Sequence, residues 1–116
     1  MVVFLYFVGK TMYVTNGVNA AEAFPYDTRE TAASKLKTAV DAALDGVDIV
    51  VLKGTHFYDK KIEIKQGVVI HGETGVPEDV VVASQINNPE GPSVSINHPQ
   101  AKVYDLVWDY ANIKSG

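Results

Sequence analysis

The sequence predicts a mainly β chain, wound as about two stacked parallel coils and closed at its amino-terminal end by one helix. Three observations carry that expectation. Helical spacing of apolar residues occurs in a single stretch, and everything after Gly46 reads as short alternating strands. Two triplets of those strands repeat at offsets of 31, 32 and 33 residues. The links between strands alternate between very short and long, and none of them is a crossover helix. A near-constant repeat of this length marks units that cannot bury an apolar face alone and stack on their neighbours.

The 116 residues suffice for one domain, and 47% hydrophobic with 21% charged residues is ordinary globular composition. A net charge of −4, with ten basic residues spread along the chain, gives no footprint for nucleic acid or anionic lipid. There is no cysteine, which excludes disulfides, thiolate chemistry and cysteine-bound zinc.

Taken in order, residues 2–8 (VVFLYFV) form an apolar run too short to span a bilayer. Residues 1–9 are either a signal-peptide remnant or a strand, and the aromatic and β-branched content favours a strand. Residues 10–116 form the single domain. MYV at 12–14 suits a short strand, Asn16-Gly17 a turn, and Pro25 blocks a helix ahead of it. From Thr28 to Gly46, Ala32, Ala33, Leu36, Ala39, Val40, Ala43 and Leu44 recur at helical spacing and predict a helix at about 29–44. Asp27 with Glu30, or Thr28 alone, is the expected cap, and Gly46 the stop. Alternation then places Ile49 and Val51, Ile62 and Ile64, Val68 and Ile70 inward, followed by Val80 and Val82, Val94 and Ile96, Ala101 and Val103, and finally Leu106 and Trp108. Leu36, Val40, Ala43 and Leu44 are expected against Ile49, Ile62 and Val68, across one end of the stack.

Ala39 to Ala43, Val47 to Val51, Lys53 to Phe57 and Gly67 to Gly72 together resemble the opening of the pectin-lyase-like superfamily: an Ala-rich capping helix, a first strand, a corner and a Gly-Val-x-Ile-x-Gly strand. Lys10 to Val14 is similar to the short strand that precedes that cap. Val47, Lys53 and His56 depart from the glycine, proline and tyrosine common there. The resemblance covers residues 10–110 and implies a right-handed parallel β-helix in a secreted or cell-surface protein. It speaks to fold more than to function, because unrelated members share the cap and first coil. It also implies that any catalytic carboxylates lie on later coils.

The residues that could carry chemistry read as structural. His71 points outward, while His56 and His98 fall at different corners, and no HxH or HExxH spacing joins them as metal ligands. Glycoside hydrolysis needs two carboxylates about 5–10 Å apart. Glu63 has Ser95 as its expected neighbour one coil on, and His71 and Glu73 have Tyr104 and Leu106, so no carboxylate ladder forms. Asp59, Glu78, Asp79, Asp105 and Asp109 read as solvated charges without a calcium pattern. GETG at 72–75 lacks the spacing of a phosphate loop, and Asn87-Asn88-Pro89 with Gly91-Pro92 is turn chemistry. Tyr58, Tyr104 and Tyr110 are expected outward or in turns, and Trp108 inward.

The expected function is therefore a non-catalytic cap and first-coil module, structural or carbohydrate-binding, with no catalytic residue, metal or cofactor. The alternative is the leading part of a polysaccharide lyase or glycoside hydrolase. Polysaccharide is the expected ligand, with no nucleic acid and no membrane span. The incomplete third coil is expected to pair with a second copy or with further coils.

Overall fold

In the computed structural model, residues 11–84 and 94–109 are described. The described residues are mainly β, with three parallel sheets, one α-helix and a short 3-10 turn at Pro77–Asp79. The elements are β1 (Thr11–Val14), α1 (Leu36–Ala42), β2 (Asp48–Val51), β3 (Gly54–Tyr58), β4 (Ile62–Ile64), β5 (Val69–Gly72), β6 (Val80–Ser84), β7 (Val94–Ile96), β8 (Lys102–Tyr104) and β9 (Val107–Asp109). The sheets have the orders β1-β2-β5-β8, β3-β6-β9 and β4-β7, and every pairing is parallel. Successive strands thus visit the three sheets in turn, and each circuit pairs with the next. Residues 49–51 and 62–64 lie in separate sheets, each with a parallel partner, and do not pair with one another as a hairpin.

Alternation makes the core. Met12, Val14, Ile49, Val51 and Ile70 come from the four-stranded sheet, Val80 and Val82 from the second, and Ile62 and Ile64 from the third; all are buried in one cluster. Leu36, Ala39, Val40 and Ala43 complete it from the helix side. The alanines let α1 approach closely to β4, the first strand of its sheet among the described residues.

Two expected offsets match the observed register. Ile62 pairs with Val94 and Ile70 with Val103, at 32 and 33 residues. The third does not: Ile49 pairs with Ile70, 21 residues on, and Val80 with Gly54. The cause is a strand hidden in the link between Gly54 and Lys61. GTHFY carries only two apolar residues and opens on a glycine, yet β3 pairs along its whole length with β6. Val69 therefore opens the second circuit instead of closing the first.

The helix is shorter than its periodicity predicts. It spans Leu36–Ala42 in place of 29–44, and its N-cap is Lys35, with no side-chain cap. The backbone of Ala33 is committed elsewhere: its N–H donates to the Tyr13 carbonyl at 2.9 Å and its carbonyl accepts from Thr15 N–H at 2.9 Å. Thr28 and Thr31 bond one another at 2.6 Å in a turn, so the expected caps serve the loop. Ala43 is already extended, Leu44 is 48% exposed against expectation, and Gly46 adopts φ 89° beyond the helix end.

Candidate functional site

The outer face of the four-stranded sheet gathers the most chemistry. Because Met12, Ile49, Ile70 and Val103 point inward, Tyr13, Val50, His71 and Tyr104 align outward in successive strands, with Thr11, Asp48, Val69 and Lys102 alongside. His71 and Tyr104 stack, ring centroids 5.2 Å apart and planes 11° apart. His71 Nε2 lies 2.9 Å from Asp48 Oδ1, and Nδ1 lies 3.2 Å from the Gly72 carbonyl. Tyr104 stays 47% exposed at the edge strand, so one ring is backed by an imidazole and flanked by polar groups. Sugars pack on aromatic surfaces of this kind.

At the strand ends the carboxylates are structural. Glu73 accepts the Lys53 N–H at 2.8 Å and pairs with Arg29 at 2.7 Å. The Lys53 amide holds the Glu73 carboxyl below its usual range; burial opposes it, and the hydrogen bond and charge of Arg29 add to the lowering. Arg29 also lies 5.6 Å from the Tyr13 ring centroid. Asp45 accepts the Gly67 N–H at 2.7 Å, with His98 Nε2 4.0 Å away. Asp105 takes φ 59°, and its carbonyl sits where a Cβ on Gly72 would be, 2.1 Å away. Only glycine admits that approach.

The expected positions divide as follows. His71 and Tyr104 are outward and adjacent, Glu63 pairs with Ser95, and His98 lies in the link between β7 and β8. Trp108 faces inward opposite Val82 and packs, half-buried, on the core. Two expectations are corrected. His56 is in strand β3, 4% exposed, instead of at a corner, and Tyr58, 4% exposed, is buried instead of outward. His56 Nε2 donates to the Leu52 carbonyl at 2.6 Å, while Nδ1 finds no partner among the described residues. Burial lowers the His56 pKa, with the Leu52 and Thr15 carbonyls opposing it less strongly.

Glu78, Asp79 and Asp59 lie apart from this face, in the turn before β6 and in the link after β3. Tyr110, Asn87, Asn88, Pro89, Gly91 and Pro92, like residues 1–10, lie outside the described residues. Among the described residues no group of three or more His, Cys, Asp or Glu gathers as a metal ion requires, and no helix is long and apolar enough to cross a membrane. The sequence did not single out Asp48 or Arg29. Asp48 could have been found by extending the outward alternation two residues back from Val50. Arg29 could not, because it reaches Glu73 from a loop that periodicity assigned to the helix.

Comparison with known proteins finds no matching family model, no matching curated protein and no matching solved structure.

Proposed function

We propose that this chain is the amino-terminal cap and first coils of a right-handed parallel β-helix of the pectin-lyase-like kind, serving a secreted or surface protein as a non-catalytic, carbohydrate-binding module. The support for the coil is the order of the strands: three parallel sheets entered in turn, with α1 beside β4, the first strand of its sheet among the described residues. The observation that carries the binding reading is the Tyr104–His71 stack, a half-exposed ring braced by Asp48. Glu73 and Asp45 are engaged in holding corners, through the Lys53 and Gly67 amides. The edges of β7, β8 and β9 are where further coils or a second copy would add.

Affinity electrophoresis of the full chain through gels containing neutral and acidic plant or bacterial polysaccharides tests the reading. Retardation by at least one polymer is expected, and Tyr104→Ala should abolish it while leaving thermal unfolding unchanged. Migration unaffected by every polymer, or retardation that survives Tyr104→Ala, would remove the binding role. Release of reducing ends or unsaturated products above a buffer control would remove the non-catalytic one.

A further inference from the structure

Five of the ten basic residues, Lys35, Lys37, Lys60, Lys61 and Lys65, which look scattered along the sequence, come together around α1 and the outer face of β4. The inward placement of Ile62 and Ile64 turns Lys61, Glu63 and Lys65 outward in one row. Residues two apart on a strand advance by about 6.6 Å, so the lysines of this row flank Glu63 on both sides. The next strand offers neutral Ser95 opposite Glu63. From above, α1 contributes Lys37, tied to Asp41 at 2.6 Å. Lys37, Lys61 and Lys65 line a groove of about 380 Å³ with Asp41, Glu63 and Gln66. A second depression continues it past Lys35, Lys60 and Asp59.

Solvated surface lysines need no ligand, and spacing them apart would minimise their repulsion. Here a chain of net charge −4 concentrates five of them against three carboxylates in one concave place. Such clefts focus potential and raise the local concentration of anions. Among the described residues, no ion pair engages the ammonium groups of Lys35, Lys60 and Lys65.

We propose that this groove binds a multiply charged oxyanion, one carrying phosphate or sulfate groups, at a site separate from the Tyr104–His71 face. The groove's own carboxylates exclude weaker ligands. Glu63 and Asp41 are tethered beside the lysines at high effective concentration, so a lone carboxylate from solution gains nothing by displacing them. A ligand bearing several charges reaches lysines on both sides of Glu63 at once and does gain. Phosphate and sulfate accept hydrogen bonds from several ammonium groups together, as a compact point charge such as lysine favours. A free polyphosphate and a sulfated sugar share this chemistry.

Amide NMR titration of the full chain at low salt tests the site, with sodium tripolyphosphate and a sulfated disaccharide as separate probes and acetate as control. Saturable shifts confined to residues 35–41 and 60–66 are expected from at least one probe, and the probe that binds identifies the source. Raising salt to physiological strength should weaken binding about tenfold, because an exposed site is screened. Lys61→Gln with Lys65→Gln should weaken it about tenfold, and Glu63→Gln should tighten it severalfold by removing the competing carboxylate. Absence of saturation with both probes, shifts spread over the surface, or unchanged affinity in Glu63→Gln would overturn the proposal. Glu63→Gln decides the matter should the double lysine variant fail to fold.

Discussion

Ile64 and Ile96 sit opposite one another in neighbouring strands of the same sheet, both on the inward alternation, yet Ile64 is fully buried and Ile96 is 50% exposed. The four-stranded sheet shows the same gradient. Met12, Ile49 and Ile70 are buried, and Val103, next in the column, is only partly so. The helix end of the stack is sealed, because β1 and α1 lie over the first circuit. The β7–β8–β9 end is half open, with no further strand among the described residues. Inward alternation alone therefore does not bury a side chain here. A residue needs a neighbour on both sides along the stack, so equal sequence signals have unequal energetic weight.

The largest expected effect follows from that inequality. Ile64→Ala should cost about 3–4 kcal/mol, in the range for emptying a well-packed site. Ile96→Ala should cost under about 1 kcal/mol, since most of its transfer energy is never realised. Urea unfolding of the two variants measures both. Equal losses would mean that the open end is covered in solution, as by a second copy, and the comparison would then break.

Gly72→Ala probes the junction between the two regions. Gly72 is buried in β5, but the atom it would strike is the Asp105 carbonyl, in the turn that follows β8. Overpacking of this kind costs about 1–3 kcal/mol. A loss near the lower figure would show that the open end yields, and a loss near the upper figure that it is as rigid as the sealed one. The same denaturation experiment reads the answer.

The sealed end was the less legible one in the sequence, for physical reasons that differ by element. Alternation found Ile62, Ile64, Val68, Ile70, Val94 and Val103 because strands with β-branched residues advertise their inward face. It missed β3, where His56 and Tyr58 fill the inward positions: a histidine reads as a surface residue until the fold supplies the Leu52 carbonyl to which its Nε2 donates. Helix periodicity found α1 but overran it, since Ala33 bridges β1 and Ala32 is buried in the loop before it, neither continuing the helix. On the outer face, the pairing of His71 with Tyr104 was legible from an offset of 33. The lysine groove was not, because it joins a helix to a strand and no local pattern links them.

His56 gives the sealed end a pH dependence. Burial holds its pKa below the ordinary value near 6.5, so between the folded value and about 6.5 the unfolded chain binds the proton and the folded chain does not. Stability must then fall as pH drops below that value. His56→Leu should remove this part of the slope, at the cost of leaving the Leu52 carbonyl without its donor. Urea midpoints measured from pH 7 downward check it; parallel slopes for the two proteins would mean that His56 is hydrated and titrates normally.

Glu73 should have the smallest global effect and a sharp local one. Its carboxylate joins the Lys53 amide to Arg29 and so fastens the loop between β1 and α1 over the sealed end. Exposed ion pairs of this sort contribute little to total stability, and the loop has other anchors in Asn19, whose side-chain amide donates to the Glu30 and Ala32 carbonyls. Because the Glu73 carboxyl is held below 4.5, its contribution is present above that pH and declines as the carboxyl protonates below it. Glu73→Gln keeps the shape and removes the charge, so the unfolding midpoint should barely move. The amides of Tyr13, Thr15 and Ala33, whose bonds close the loop onto β1, should nonetheless exchange severalfold faster with deuterium, since local opening needs less free energy than global unfolding. Amides in β2 and β5 should keep their protection. If Tyr13, Thr15 and Ala33 exchange at parental rates, the backbone bridge and Asn19 hold the loop by themselves, and the seal over the first circuit owes nothing to charge.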